Sequence, residues 1–253
     1  ACRLYPANSY GLILWSHGTG WIPSEAHKMV DPYKLTPKYG SARFSVAADN
    51  METMVRIPFM TRAFALDQNA DNTWMDMEDL VEAIPQHVFD FIMFDACFMA
   101  SVELAYALRN HTGYIIASAV EIIGEGFPYH AIMEGLLTGD YFEVAAEFFD
   151  FYNSQSLPAR RTAGIALIDT DGLEELADAM RMVIETATVG VSNLVYGDVQ
   201  VMDRFHNHVM FDLEDMVRHL KPSGMSLVRF EDALAHCVLY RNNTPKVVDE
   251  LNI

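Results

Sequence analysis

The sequence predicts an α/β fold built around a mainly parallel β-sheet. This prediction rests on short apolar runs with helical patterns between them. The composition, with 51% hydrophobic and 21% charged residues, is that of an ordinary globular protein. Each run is about as long as a buried strand and is rich in Ile, Leu and Phe without alternation, which is typical of a sheet covered on both faces. The runs are YGLILWSHG (10–18), FDFIMFDAC (89–97), GYIIASA (113–119) and TAGIALIDT (162–170).

Helical patterns lie between and around these runs. The segment MASVELAYALRN, for example, spaces Val102, Ala105, Tyr106 and Arg109 three or four residues apart, as one face of a helix requires. Strands that alternate with helices favour an α/β fold over a purely antiparallel one. The predicted helices cover 74–84, which stops at Pro85, and 99–110, 141–152 and 171–187.

Two regions depart from this alternation. Residues 19–50 are rich in Pro, Gly, Lys and Ser without a clear period, which predicts a long exposed loop of the kind that is functional or cleaved. After about residue 190 the alternation fades, and helices are predicted over 211–220 and 229–242. We therefore expect a main domain over residues 1–189 and a small, mostly helical C-terminal part over 190–253.

Composition excludes several classes of partner. The chain has 35 acidic and 17 basic residues, a net charge of −18, so its surface repels nucleic acid and anionic membranes and attracts cationic peptides or divalent ions. No run of eighteen apolar residues predicts a transmembrane helix, and no secretory signal stands at the start of the sequence. Three cysteines are too few for a disulfide scaffold and do not indicate a compartment.

Two of the predicted strands end in residues with nucleophilic chemistry. The first delivers His17 and the second delivers Cys97. Because ligands bind beyond the carboxyl ends of strands in open parallel sheets, neighbouring strands would bring imidazole and thiol into one crevice. Asp95 stands two residues before Cys97, and its negative charge would hinder ionisation of the thiol. An imidazolium in the crevice would oppose this by lowering the thiol pKa by several units. The backbone N–H groups of Gly18 and Cys97 could form an oxyanion hole.

Simpler interpretations of the same residues stay open at this point. A cysteine in an apolar strand is often a small buried hydrophobe, and Asp95 could cap a helix that begins near Phe98. The segment SHGTGW also suggests the oxyanion loop of α/β-hydrolases, but the sequence lacks the required G-x-S-x-G serine motif. The HNH at 206–208, near Asp203 and Asp212, is a weak signal for a metal site.

The two reactive segments resemble a known family. LILWSHGTGW and FDFIMFDACFMASVELAYALR are similar to the catalytic His and Cys segments of clostripain-like cysteine peptidases, and YIIASAVEIIGEGFPY (114–129) resembles the next strand and a Gly-x-Pro-Tyr sequence of that family. The similarity covers roughly residues 10–190. It implies the caspase–haemoglobinase fold, a three-layer sandwich around a mainly parallel sheet, with His17 as general base and Cys97 as nucleophile.

The resemblance also implies a substrate class. The family favours Arg or Lys before the scissile bond, and the aspartate two residues ahead of the cysteine, here Asp95, lines the specificity pocket. Residues two apart in a strand point to the same side, so Asp95 can reach a pocket beside the thiol. Ser118 and Glu121 follow the next strand and are further candidates for this pocket. The partners implied are peptides or proteins with basic residues.

Further expectations follow from the family. Calcium is the one cofactor that the resemblance suggests, because some relatives depend on it; the acidic composition is compatible with calcium but does not show it. The location is expected to be extracellular, periplasmic or at the cell surface. Self-cleavage is expected within residues 21–50, a segment that carries Lys28, Lys34, Lys38 and Arg43. An inactive, peptide-binding or surface interaction protein with the same fold is the alternative.

Two departures from the family pattern remain. Ala100 stands where the family has glycine. Only sixteen residues precede His17, where the family has a substantial segment with its first strands, so N-terminal strands are expected to be missing from this chain.

Overall fold

The strands in the described part of the chain form one main sheet and two small ones. The computed structural model describes Cys2 and residues 4–21, 63–67, 73–205 and 208–253. In this part of the chain the strands are β1 (Gly11–Trp15), β2 (Ala63–Asp67), β3 (Thr73–Asp76), β4 (Phe89–Asp95), β5 (Thr112–Ala117), β6 (Gly164–Asp169), β7 (Val238–Asn243), β8 (Lys246–Val247) and β9 (Leu251–Asn252). The helices are α1 (Met77–Ala83), α2 (Val102–Leu108), α3 (Tyr129–Thr138), α4 (Tyr141–Asn153), α5 (Leu173–Thr186), α6 (Leu213–Leu220) and α7 (Gly224–Cys237).

The described part of the main sheet has the strand order β1-β4-β5-β6-β7. Strands β1, β4 and β5 pair in parallel, β6 is antiparallel to β5, and β7 is antiparallel to β6. All of these strands except β6 therefore run in the same direction, and the predicted, mainly parallel α/β sheet is confirmed. Because parallel neighbours end at the same edge of a sheet, the carboxyl ends of β1, β4 and β5 meet there.

Two apolar layers cover the faces of this sheet. Along β4 the side chains alternate, so that Ile92 and Phe94 belong to one buried cluster while Phe91 and Met93 belong to another. Helices α2, α5, α6 and α7 contribute buried residues to the first cluster, and α3 and α4 contribute to the second. Helices on both faces of a sheet make the three-layer sandwich that the sequence predicted.

Side-chain caps fix where several helices begin. Ser101, Asp140, Asp212 and Ser223 each accept a hydrogen bond from the backbone N–H three residues later, at the starts of α2, α4, α6 and α7. Such caps satisfy backbone donors that have no partner inside the helix. Helix α2 is the one that follows Cys97, and its cap is Ser101. The interpretation of Asp95 as a helix cap is therefore wrong.

Some predicted elements differ from the structure. The helix predicted over 74–84 begins only at Met77, because Thr73–Asp76 pairs with β2 as a strand. The helix predicted over 229–242 begins earlier, at Gly224, and ends at Cys237, because residues 238–243 form β7 against β6. Helix α3 was not predicted, although it begins directly after Pro128 and ends at Gly139, whose φ of 81° suits glycine.

The C-terminal segment shares the core of the main sheet. Val217, Leu220 and Phe230 belong to the same buried cluster as Ile92 and Phe94. The boundary at residue 190 stays a prediction about independent folding units, which limited proteolysis would test. No helix in the described part of the chain is both long and apolar enough to span a membrane.

Candidate active site

The two reactive strand ends lie side by side. Strands β1 and β4 pair in parallel with Trp15 opposite Asp95, and the backbone N–H of Ser16 donates to the Asp95 carbonyl oxygen at 3.4 Å. The residues that follow β1 lie against the residues that follow β4. A Cβ placed on Gly18 would lie only 2.6 Å from the Cys97 carbonyl oxygen. The expectation of adjacent parallel strands is thus confirmed, and the residue after His17 lies against Cys97.

The segment after β1 also lies close to the segment after β4 beyond Gly18. Gly20 has φ +57°, and a Cβ there would lie 2.6 Å from the carbonyl oxygen of Phe98. Only a residue without a side chain fits this conformation and this contact. Trp21 then packs with Phe98 and Cys97 in a small apolar cluster. His17 itself is exposed at the start of this segment.

The Cys97 thiol is half-buried and held by one backbone unit. Its sulfur accepts from the N–H of Ile122 at 3.3 Å and lies 3.5 Å from the Ile122 carbonyl oxygen. Burial raises the pKa of the thiol to about 11; the Ile122 N–H opposes this rise, and the charges of Glu121 and Asp95 add to it. The expectation of a lowered thiol pKa is therefore wrong for this structure, because burial and two carboxylates outweigh the favourable contacts. The thiol is neutral at pH 7.

The residue after Cys97 has an unusual backbone. Phe98 has φ 62°, in the left-handed region that bulky residues rarely adopt. Its N–H donates to the Val120 carbonyl oxygen at 3.1 Å, and its ring lies 5.5 Å from that of Phe205. Backbone outliers of this kind persist where the surroundings hold them, and they cluster at active sites.

Asp95 lies beneath the loop that precedes α3. Its side chain is 4% exposed and accepts from the N–H of Phe127 at 3.2 Å and from the Tyr129 hydroxyl at 2.9 Å. Gly126 lies so close that a Cβ there would be 2.7 Å from an Asp95 oxygen, and its φ is +66°. Burial raises the pKa of Asp95, while the bonds from Phe127 and Tyr129 oppose that rise. The Gly-Phe-Pro-Tyr segment therefore shapes the surroundings of this carboxylate.

The two further pocket candidates have partners within the chain. Ser118 is fully buried, and its hydroxyl bonds to the backbone of Val120, so the structure does not bring it to a surface that a substrate could reach. Glu121 lies nearer the thiol but is paired with Arg204, with 2.5 Å between Nε and Oε2. Neither side chain is arranged as an open wall of a pocket.

The weak metal signal at 206–208 has another explanation. His206 lies outside the described residues. Asp203 is fully buried and accepts from three backbone N–H groups and from the ring of His208, while Asp212 caps α6. Among the residues that the structure describes, no group of three or more His, Cys, Asp or Glu side chains is placed to hold a metal ion.

Sequence reasoning missed four contributors to the site. Tyr129 and Gly126 surround Asp95, the N–H of Ile122 bonds to the sulfur, and Arg204 neutralises Glu121. The first two lie in the quoted segment GEGFPY, more than thirty residues after Asp95, so the sequence does not show that they meet it. The backbone N–H and the distant arginine leave no local pattern.

Together these features define a class of protein: an α/β sandwich with a thiol and an imidazole delivered by adjacent parallel strands. A model of the clostripain family, peptidase family C11, matches residues 51–233. That match covers more than half of the chain, so the chain belongs to the clostripain family. His17 precedes the matched segment. A search of curated proteins finds no match.

Solved structures are similar over nearly the whole described fold. An inactive zymogen C11 protease from Parabacteroides distasonis is 30% identical with a TM-score of 0.72, and the alignment covers 97% of this chain and 59% of that one. A secreted C11 cysteine protease from Bacteroides thetaiotaomicron, "iotapain", is 25% identical with a TM-score of 0.74, covering 100% and 65%. This chain thus spans less than two thirds of the length of either protein.

A third similar structure contains an inhibitor. It is a clostripain from Bacteroides thetaiotaomicron in complex with the peptide inhibitor BTN-VLTK-AOMK, 28% identical with a TM-score of 0.66, and the alignment covers 75% of this chain and 85% of that one. The fold of the present chain is that of these C11 proteases, a caspase–haemoglobinase-like α/β sandwich.

Proposed function

We propose that the chain is the catalytic part of a cysteine endopeptidase that cleaves after Arg or Lys. The observation that carries this proposal is the parallel pairing of β1 with β4, followed by the contact of Gly18 with the backbone of Cys97. Because His17 stands between Trp15, which pairs with Asp95, and Gly18, which lies against Cys97, this arrangement supports a Cys97–His17 dyad. An imidazole and a thiol in reach of each other are the two groups that acyl transfer requires.

The reaction would proceed through an acyl-enzyme. His17 takes the proton from Cys97 as the sulfur attacks the scissile carbonyl carbon, and the N–H groups of Gly18 and Cys97 donate to the resulting oxyanion. The imidazolium then protonates the leaving amine as the C–N bond breaks. Water, deprotonated by His17, then attacks the thioester carbonyl carbon, and the C–S bond breaks to release the acid. The imidazolium returns its proton to the sulfur, which restores the thiol and the neutral imidazole.

The resting site differs from a preformed ion pair. Because the pKa of Cys97 is about 11, the thiol keeps its proton at neutral pH and its removal by His17 accompanies the attack. Substrate binding would exclude water from an already half-buried sulfur. The Ile122 N–H remains available to stabilise the thiolate that forms.

Asp95 is proposed to select the basic residue. A carboxylate can accept about four hydrogen bonds, and Phe127 and Tyr129 provide two in the structure, so Asp95 retains capacity for a cation. Access requires movement of the loop that carries Gly126 and Tyr129. The inhibitor bound to the Bacteroides thetaiotaomicron clostripain ends in lysine before its reactive group, which supports a basic preference here.

Two wider proposals follow from the relatives. One similar structure is of a secreted protease, which supports an extracellular location for this chain. Another is of an inactive zymogen, which supports activation by cleavage. The predicted self-cleavage segment, residues 21–50, lies mostly outside the described residues, so its basic residues have no structural description.

The alternative is an inactive protein that binds peptides without cleaving them. The high pKa of Cys97 and the buried Asp95 favour it. Fluorogenic peptides that vary the residue before the scissile bond distinguish the two functions, with Cys97→Ala and His17→Ala as controls. The peptidase proposal expects hydrolysis after Arg and Lys that either substitution abolishes. Peptide binding by the unsubstituted chain without turnover would support the alternative.

A further inference from the structure

Arg204 forms a paired and nearly buried contact with Glu121 beside the candidate nucleophile. Its Nε donates to Oε2 at 2.5 Å and its Nη2 donates to Oε1 at 3.1 Å, a fork geometry that uses both carboxylate oxygens. The side chains of Arg204 and Glu121 are 10% and 17% exposed. The second terminal nitrogen of Arg204 pairs with Glu250. Burial opposes the charge of Arg204, but these carboxylates raise its pKa, so it stays a cation.

The backbone that carries Arg204 is fixed on both sides. The carboxylate of Asp203, the residue before Arg204, accepts from the N–H groups of Phe205, Val209 and Met210 at 2.9, 2.7 and 2.7 Å. Phe205 packs against Phe98, the residue after Cys97. A guanidinium on such an anchored loop loses little freedom when it binds a carboxylate, so this pair differs from an exposed surface ion pair.

Glu121 matters to the thiol through its position in the chain. The next residue, Ile122, supplies the N–H that reaches the Cys97 sulfur at 3.3 Å. The charge of Glu121 opposes formation of a thiolate at Cys97, and the paired guanidinium offsets that negative charge. Within the described part of the chain, Asp95 is a second carboxylate whose charge acts on the sulfur, and the Tyr129 hydroxyl is bonded to it. His17 follows the neighbouring strand β1.

We propose that Arg204 is a positioning residue for the nucleophile. By pairing with both oxygens of Glu121 it screens Cys97 from the charge of Glu121. The consequence for peptide cleavage rests on the proposed function. The consequence for thiol reactivity does not, because alkylation requires only the thiolate.

The test is the rate of Cys97 alkylation by iodoacetamide between pH 6 and 9, followed by peptide mass spectrometry so that Cys2 and Cys237 are counted separately. Arg204→Met should slow alkylation at a given pH on the order of tenfold, which corresponds to a pKa about one unit higher. Glu121→Gln should speed it, and the double substitution should return it close to the unsubstituted rate. Arg181→Met, which removes an exposed arginine paired with Asp178, is the matched control and should change nothing.

The outcomes separate positioning from mere stabilisation. An unchanged rate in Arg204→Met with an unchanged Tm would overturn the proposal, as would a double variant as slow as the single one. If Arg204→Met does not fold, Glu121→Gln decides alone, since the proposal requires faster alkylation. A chain that shows this alkylation pattern but cleaves no peptide would refute the proposed function and leave this inference standing.

Discussion

Gly18 offers the sharpest perturbation of the proposed dyad. In Gly18→Ala the new Cβ would lie 2.6 Å from the Cys97 carbonyl oxygen and 2.7 Å from the Met99 sulfur, whereas ordinary contact begins near 3.4 Å. The backbone oxygen cannot rotate away, so the two segments must separate by about 0.8 Å. Misplacement of catalytic groups by about 1 Å costs about a hundredfold in rate. Overpacking of this kind costs about 1–3 kcal/mol in the free energy of unfolding.

Both consequences are measurable. We expect kcat/KM on a lysyl substrate to fall about a hundredfold and Tm to fall by roughly 2–12 °C, using the usual Tm shift of about 2–4 °C per kcal/mol for a chain of this length. Gly224→Ala is the control, because a Cβ there meets nothing within 4 Å and the residue begins α7. It should keep full activity and an equal or higher Tm. Unchanged kcat/KM in Gly18→Ala would refute the role given to the His17 segment.

Three other predictions concern the same site. Asp95→Asn should reduce kcat/KM after Arg and Lys by a hundred- to several-thousand-fold, since loss of one partner of a buried pair costs about 3–5 kcal/mol; a retained basic preference would contradict the pocket assignment. Alkylation of Cys97 should still rise about tenfold per pH unit at pH 9, because the pKa is about 11, and a plateau by pH 8 would contradict that value. Incubated protein should be cut within residues 21–50, whereas Cys97→Ala should stay intact; equal cutting of both would assign the cleavage to a contaminant.

The raised pKa of Cys97 also has a consequence for stability. A folded-state pKa above the ordinary value of 9.0 means that the folded protein holds this proton more tightly than the unfolded chain. The stabilisation is therefore complete below pH 9 and is lost as the pH rises toward 11. Cys97→Ala should lose less stability over this interval than the unsubstituted chain, as measured by denaturant unfolding at a series of pH values.

The sheet was predictable because its central strands are buried on both faces. The runs that became β4, β5 and β6 are apolar without alternation, which few other structures explain. Strand β7 was not predictable in the same way. A helical spacing of apolar residues, seen at Phe230, Ala233 and Cys237, continues to the residue just before β7. The partner strand β6 is about seventy residues away in the sequence. Tertiary pairing decides such a segment.

The residues of the candidate site also differ in whether a local sequence pattern could predict them. His17 and Cys97 became candidates because each shortly follows the end of a strand, a position that local pattern and sheet geometry predict. The surroundings of Asp95 were not found, because its partners Phe127 and Tyr129 lie 32 and 34 residues later. The Glu121–Arg204 pair joins residues 83 positions apart. Local patterns indicated the candidate side chains, but the groups that surround them come from distant segments.

The most direct test of the central claim is labelling by a peptidyl acyloxymethyl ketone that ends in lysine, with the modified residue located by mass spectrometry. The account predicts a single label on Cys97, absent in Cys97→Ala, strongly reduced in His17→Ala, and much weaker when glutamate replaces lysine in the probe. A label on Cys2 or Cys237, or equal labelling by the lysyl and glutamyl probes, would contradict a Cys97–His17 peptidase that selects basic residues.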